Sequence, residues 1–212
     1  MEKIRLNSLA LKAAPFFIFV FVFFFTMPAT SNNELIKLTD MSRFGTFLQT
    51  NELVGVYMVL RDFKTGLNTE EEYALAKAIF DQSRAYRIDP FFILAMIKTE
   101  SSFYNWARSR KGALGMMQIL PATGEAMALE LGLKWRGEET LFDPSANVRI
   151  GIYYLSELRG RFSDDMKIAT AAYNRGPTDL SMRLRRGRGL KFRYVDSVYS
   201  NYDDMRDNIV IN

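Results

Sequence analysis

From residue 69 onward the apolar positions recur at helical spacing, and the segments carry recognisable helix ends. Thr69–Glu72 reads as a capping box, which predicts a helix that extends toward Tyr86. No segment between residues 69 and 206 alternates apolar and polar positions as a half-buried strand does. The pattern therefore predicts a domain that is all-α or nearly so.

The second predicted helix is apolar on every side and ends in an acid. Asp89 stands as an N-cap before Pro90 at the first helical position, and every position from Pro90 to Ile97 is apolar. Glu100 closes this helix and is followed by Ser101. Because a helix that is hydrophobic all round is buried, we expect Glu100 to be held at the mouth of the fold.

Four further helices are predicted from proline, aspartate and glycine at their ends. They run from Pro121 to Gly132, from Asp143-Pro144 to Gly160, from Asp164 to Tyr173, and from Phe192 to about Arg206. Together with the first two they make up a predicted catalytic domain over residues 69–206, followed by a tail at residues 207–212.

The chain before this domain falls into two parts. Lys3, Arg5 and Lys12 precede the apolar run 13–27, and small residues follow it, as in a signal peptide. The run is shorter than the ~20 apolar residues of a membrane-spanning helix. Residues 1–30 are therefore read as a signal peptide or a retained anchor, which places the protein in the periplasm or cell envelope.

Residues 31–68 have a weak pattern, because Gly45, Gly55 and Gly66 interrupt the apolar positions. We expect this part to be an amino-terminal extension of short helices or a strand that packs on the main domain.

Composition removes several classes of enzyme. The 212-residue chain has no histidine and no cysteine. Nucleophile systems that need an imidazole are excluded, zinc is normally held by Cys or His, and no disulfide can form. Carboxylate chemistry remains, without a predicted metal or organic cofactor.

Glu100 is the candidate for that chemistry. Burial raises a carboxyl pKa by disfavouring the charged form, and the negative end of a helix dipole acts in the same direction. Lys98, Arg108 and Arg110 are close in sequence and would oppose this shift. From this segment alone, an ordinary surface glutamate at a helix end is an equal alternative.

Basic residues gather near the carboxyl terminus, although the net charge of the whole chain is only +4. Arg183, Arg185, Arg186, Arg188, Lys191 and Arg193 occur there without an acid among them. Such a cluster can bind phosphates, anionic glycans or acidic lipids. A solvated helix end and loop explains it better, and no nucleic-acid partner is predicted.

A series of motifs resembles a known family. In order, they are Glu100-Ser101-Ser102-Phe103, Ala107, Ser109, Gly112-Ala113, Gly115-Met116-Met117-Gln118, Pro121, Thr123, Phe142-Asp143-Pro144, Asn147, Gly151, Tyr154-Leu155, Ala172-Tyr173-Asn174-Arg175-Gly176-Pro177 and Tyr194-Val195. The stretch from about residue 72 to residue 202 resembles the soluble lytic transglycosylase (SLT) domain of the goose-type lysozyme superfamily. Met116 departs from the Leu usual in the family, a change that conserves volume.

The resemblance implies a mainly α, lysozyme-like fold and a peptidoglycan lytic transglycosylase. Such enzymes cut the β-1,4 bond between N-acetylmuramic acid and N-acetylglucosamine in glycan strands, with one Glu as acid and then base. By position that residue is Glu100. The substrate's own N-acetyl group and C6 hydroxyl replace a second carboxylate, and the product ends in 1,6-anhydromuramic acid.

The resemblance also implies residues that contact the glycan. Gln118 would bind an acetamido group, Met117 would line the sugar face, and Tyr173 and Asn174 would present a ring and an amide. Tyr194 would reach the catalytic carboxyl with its hydroxyl, and Ser101 would assist near the acetamido group or the leaving sugar.

Two other functions stay open at the sequence level. A lysozyme-like hydrolase would want a second carboxylate, for which Asp143 is the nearest candidate, although Asp143 is better explained as a helix cap. A non-catalytic glycan-binding or secretion-assembly module is the other. The complete set of motifs argues against it.

Overall fold

The computed structural model describes residues 52–187 and 192–210, and side chains as far as residue 207. Within these residues the chain forms helices connected by turns and loops. They are α1 (residues 52–61), α2 (Thr69–Ala85), α3 (Pro90–Ser101), α4 (Pro121–Glu130), α5 (Glu138–Phe142), α6 (Pro144–Arg161), α7 (Met166–Arg175), α8 (Pro177–Arg185) and α9 (Arg193–Val210). The described residues contain isolated β-bridges but no extended β-strand. The mainly α class is confirmed.

The cap of α2 differs by one residue from the prediction. Asn68, not Thr69, is the N-cap: its side chain accepts a hydrogen bond from the Glu71 amide at 3.0 Å. The Glu71 carboxylate accepts one from the Asn68 amide at 2.8 Å, which completes a capping box. An amide oxygen caps as well as a hydroxyl does, so the pattern fits both registers.

Helix α3 is buried, as its sequence predicts. The Asp89 side chain accepts a hydrogen bond from the Phe91 amide at 2.8 Å, and Pro90 occupies the first turn. All positions from Pro90 to Ile97 are buried. The helix ends where Ser102 adopts a left-handed conformation at φ 51°, so the chain turns away directly after the acid.

Helix α9 packs along α3 in the opposite direction. Near its carboxyl end, Tyr202 and Arg206 donate hydrogen bonds to Asp89, at 2.7 and 2.8 Å. At its beginning, Tyr194 donates to Glu100 at the other end of α3. Because the contacts are made at opposite ends, the two helices are antiparallel, and the first turn of α9 lies beside the acid.

The extension contains a helix where the pattern is weak. Gly55 lies inside α1, and a Cβ at this position would come within 3.1 Å of the Phe91 ring. Val56 and Leu60 on the same helix are fully buried. Gly55 therefore permits close packing on α3 and does not interrupt the helix. In residues 52–68, the described part of the extension, the structure contains the short-helix alternative.

Two described helices were not predicted, and the ends of others shift. Helix α5 is a single short turn before the Asp143 cap, and α8 begins at Pro177 directly after Gly176, which ends α7. Helix α7 begins at Met166 with Asp165 as its cap, slightly after the predicted Asp164. Short helices lack the repeated apolar spacing from which longer ones are predicted.

The proposed signal or anchor segment, residues 1–30, lies outside the described residues, as do residues 31–51 of the extension and the last two residues of the tail. In the part of the chain that the structure describes, no helix combines the length and the apolar character needed to cross a membrane.

Candidate active site

Glu100 is the penultimate residue of α3 and is partly buried. The Tyr194 hydroxyl donates a hydrogen bond to Glu100 Oε1 at 2.6 Å. This is the contact that the sequence resemblance implies. It fixes one carboxyl oxygen and leaves the second oxygen for proton transfer.

Burial raises the pKa of Glu100 from its usual value near 4.5 to about 7, and the Tyr194 hydrogen bond lowers it only in part. Arg108 does not oppose this shift, because it forms a bidentate pair with Glu138, with hydrogen bonds of 2.7 and 3.0 Å. A carboxyl with this pKa is present in both forms near neutral pH, so it can donate a proton and take one back.

Asp143, the candidate for a second carboxylate, is engaged elsewhere. Its side chain accepts a hydrogen bond from the Ala146 amide at 2.8 Å and caps α6. Its assignment as a helix cap is confirmed. Among the described residues there is also no group of three or more acidic side chains arranged to hold a metal ion.

Asn147 of α6 holds the loop between α3 and α4 by hydrogen bonds. The fully buried Asn147 amide donates to the carbonyls of Leu114 and Leu141, at 3.1 and 2.9 Å, and accepts from the Met117 amide at 2.8 Å. Gly115 has φ +74°, and a Cβ there would overlap the Asn147 side chain. Glycine is required at this position by both conformation and space.

Met117 is placed differently from the expectation that it lines a sugar face. Its side chain has no exposed surface and packs against Gly151 of α6. It therefore supports the loop from the core side. Its backbone carbonyl accepts a hydrogen bond from the Tyr173 hydroxyl at 2.8 Å, which ties the loop to α7.

The Gln118 side chain also serves the loop. Its amide nitrogen donates to the carbonyls of Gly115 and Ala107, at 2.9 and 3.2 Å, and the residue has φ 50°. The donor half of the amide is thus occupied. Its carbonyl oxygen is the group that remains for a ligand.

A cleft of about 410 Å³ opens beside Tyr194, and Asn174, Arg175, Phe192 and Arg193 are among its lining residues. Asn174 is exposed. The cleft therefore brings the end of α7 and the start of α9 together next to the residue that touches Glu100.

The family comparison agrees with this geometry. The Transglycosylase SLT domain matches residues 77–195, more than half of the chain. The chain belongs to this family. The putative soluble lytic murein transglycosylase of Haemophilus influenzae is 34% identical over 102 residues, which are 48% of this chain and 17% of that protein.

Solved structures resemble the SLT domain as well. An inactive mutant of the lytic transglycosylase Slt from Pseudomonas aeruginosa is 28% identical, with a TM-score of 0.50 over 63% of this chain and 22% of that one. The 70 kDa soluble lytic transglycosylase of Escherichia coli, at 22% identity and a TM-score of 0.54, shares the fold over 64% of this chain and 25% of its own. The chain spans a quarter or less of the length of each of these three proteins.

Within the SLT domain, the phenols of Tyr173 and Tyr194 lie in the electrostatic field of Glu100. Burial first, and then the charge of Glu100, raise the pKa of each hydroxyl well above its usual value. Both phenols therefore stay protonated. The Ser101 hydroxyl is also near the acid in sequence, and it donates to the Ile97 carbonyl of its own helix at 3.2 Å.

The sequence pattern did not single out every residue of the site. Arg175 and Phe192 carried no assigned role, and Arg193 was counted with a solvated basic cluster. Their neighbours in the sequence could have indicated the arginines, because Arg175 follows Asn174 and Arg193 precedes Tyr194.

Proposed function

We propose that this protein is a peptidoglycan lytic transglycosylase with Glu100 as its general acid and base. The observation that supports it is a partly buried carboxyl, with a pKa near 7, held by Tyr194, a residue that lines a cleft. Membership of the SLT family supports the same reaction. The substrate is the glycan strand of peptidoglycan.

In the first step protonated Glu100 gives its proton to the oxygen that links C1 of N-acetylmuramic acid to C4 of N-acetylglucosamine. The C1–O bond breaks, and N-acetylglucosamine leaves with a 4-hydroxyl group. The acetamido oxygen of the muramic acid stabilises C1 in place of a protein nucleophile. The Tyr194 hydrogen bond supports Glu100 once it is ionised, because it stabilises the carboxylate.

In the second step the Glu100 carboxylate takes the proton of the muramic acid C6 hydroxyl. The C6 oxygen bonds to C1, and a 1,6-anhydro ring forms without consuming water. Glu100 is protonated again at the end, so the cycle closes. One carboxyl suffices because its two tasks follow each other.

The other predicted contact residues have supporting roles in this proposal. Asn174 is exposed at the cleft and contacts the sugar, while the free oxygen of Gln118 accepts from an acetamido group. Ser101, next to the acid in sequence, assists near the acetamido group or the leaving sugar. Met117 and Tyr173 act through their mutual hydrogen bond, which fixes the loop.

The location proposed for the enzyme is the cell envelope, where its substrate is. The basic and apolar segment at residues 1–30 supports export.

Replacing the acid tests the proposal. Glu100→Gln keeps the shape of the side chain but cannot donate and recover the proton, and general acid–base catalysis is typically worth about 100- to 10,000-fold. We expect this loss in the release of soluble fragments from purified sacculi. Glu125→Gln, at an exposed position of α4, is the matched control and should retain the wild-type rate. A folded Glu100→Gln variant with more than about a tenth of the wild-type rate would exclude Glu100 from this role.

A further inference from the structure

The cleft beside Tyr194 has two arginines among its lining residues, Arg175 at the end of α7 and Arg193 at the start of α9. Both arginines are exposed. An uncharged sugar ring needs hydrogen bonds and apolar contacts and no cation. Two arginines in one cleft indicate a ligand that carries negative charge.

The positive charge of the cleft is only weakly offset by nearby acids. Arg175 reaches Asp179 at 3.7 Å, but Asp179 lies closer to Arg183, at 2.9 Å. Among the described residues, no carboxylate lies within ion-pair distance of Arg193. Within the described residues, Arg193 is therefore available for an external anion, and Arg175 is held only by a long ion pair.

Tyr194 lies between the cleft and the catalytic carboxyl, which is not itself among the lining residues. Tyr194 lines the cleft, and its hydroxyl contacts Glu100 at 2.6 Å. A glycan strand that is cut at Glu100 passes Tyr194, so a sugar at or next to the bond being cut is positioned to place a group in the cleft. In a peptidoglycan strand the negative groups are attached through the lactyl ether of muramic acid, whereas N-acetylglucosamine is neutral.

We propose that Arg175 and Arg193 bind a substrate carboxylate attached through the lactyl group of a muramic acid near the scissile bond. This inference rests on the proposed function and adds a specificity determinant to it. The carboxylate has two sources: the lactyl group itself where the stem peptide has been removed, or the stem peptide where it is present. Guanidinium groups bind a carboxylate from either source with two parallel hydrogen bonds.

Kinetics on two substrates test the proposal. Arg175→Gln, Arg193→Gln and the double variant are compared with the wild type on peptide-bearing sacculi and on glycan strands stripped of their peptides. We expect KM for at least one substrate to rise tenfold or more in the double variant, with kcat changed less than threefold. A rise on stripped strands alone assigns the lactyl carboxylate, and a rise on peptide-bearing strands alone assigns the stem peptide.

Control variants separate charge from packing. Arg136→Gln removes an exposed arginine that does not line the cleft and should leave KM unchanged. The double lysine variant, Arg175→Lys with Arg193→Lys, keeps the charge and should recover part of the lost affinity. If the double glutamine variant matches Arg136→Gln on both substrates and melts like the wild type, the proposal is wrong.

A binding measurement keeps this test separate from the catalytic one. The disaccharide of N-acetylglucosamine and N-acetylmuramic acid carries a free lactyl carboxylate, and its peptide-bearing form carries the stem carboxylates. Titration of each into Glu100→Gln, with and without the two arginine substitutions, should show at least a tenfold weaker Kd for one ligand when the arginines are absent. Equal affinities would overturn the carboxylate site, whatever the activity of the wild type.

Discussion

In the proposed reaction a single carboxyl serves as acid and base. Its pKa suits both tasks because burial raises it, without a contribution from a neighbouring acid. Desolvation raises the pKa of Glu100 to about 7, and the hydrogen bond from Tyr194 opposes this only in part. Burial at the end of an apolar helix was recognisable in the sequence, but the partner tyrosine, 94 positions away, was expected only from the family resemblance.

The raised pKa has a consequence for stability. Below pH 4.5 Glu100 is neutral in both the folded and the unfolded chain, while above pH 7 the folded protein must hold an ionised group in a site that disfavours it. The favourable contribution of the neutral carboxyl is therefore lost as pH rises from about 4.5 through about 7. The difference between the pKa of Glu100 in the folded and in the unfolded chain corresponds to a change of up to about 3 kcal/mol in the free energy of unfolding.

Glu100→Gln should therefore stabilise the protein at high pH, since the amide is never charged. Relative to the wild type, we expect its melting temperature to rise by roughly 10 °C more at pH 8 than at pH 4.5, because 1 kcal/mol shifts Tm by about 2–4 °C in a domain of this size. Thermal melting of both proteins at the two pH values measures it. A Tm difference independent of pH would mean that the folded pKa of Glu100 is not raised.

At the level of elements, two helices hold the site from opposite sides. Helix α9 runs antiparallel to α3 and presents Tyr194 to Glu100. Helix α6 supports the loop that follows the acid, through Asn147 and through the close approach of Gly151 to Met117. The position of the loop thus depends on a glycine in the middle of a helix, where glycine is otherwise unfavourable.

Alanine substitutions in α6 test this dependence. A Cβ at Gly151 would overlap the Met117 side chain, while a Cβ at Gly160 on the same helix has no neighbour within 4 Å. Gly151→Ala should lower the free energy of unfolding by about 1–3 kcal/mol through overpacking. Gly160→Ala, the control, should raise it by about 0.5–1 kcal/mol, since alanine favours a helix. Urea unfolding measures both, and a gain in stability for Gly151→Ala would contradict this packing.

For the whole molecule, the sequence predicted those features that depend on residues close together in the chain. The N-caps at Asp89 and Asp143 and the buried α3 follow from the residues at those positions. Features that depend on packing between distant parts of the chain were missed or assigned to the wrong role. Gly55 interrupts the apolar pattern, but its place against the ring of Phe91 explains it. The family resemblance implied a sugar contact for Met117, and it could not show that this side chain faces the core.

The arginines of the cleft illustrate the same limit. In sequence, Arg193 belongs to a run of basic residues that reads as a solvated surface. Only the packing of α7 beside α9 brings it to one cleft with Arg175. Distances between residues far apart in the chain are the information that a single sequence lacks.

The chemical nature of the new sugar end distinguishes transglycosylation from hydrolysis. If the C6 hydroxyl of muramic acid attacks C1, the product lacks one water relative to a hydrolysed strand, and borohydride cannot reduce it. An intramolecular hydroxyl should outcompete water, because a well-oriented group reaches an effective molarity of about 100,000 M or more.

Sacculi are digested with the protein, half of the sample is reduced with borohydride, and the muropeptides of both halves are weighed by mass spectrometry. We expect predominantly anhydro ends, with the same mass in the two halves. Predominantly reducible ends, heavier after borohydride, would contradict the transglycosylase and leave a hydrolase, and a folded protein that releases no fragments would point to a glycan-binding module.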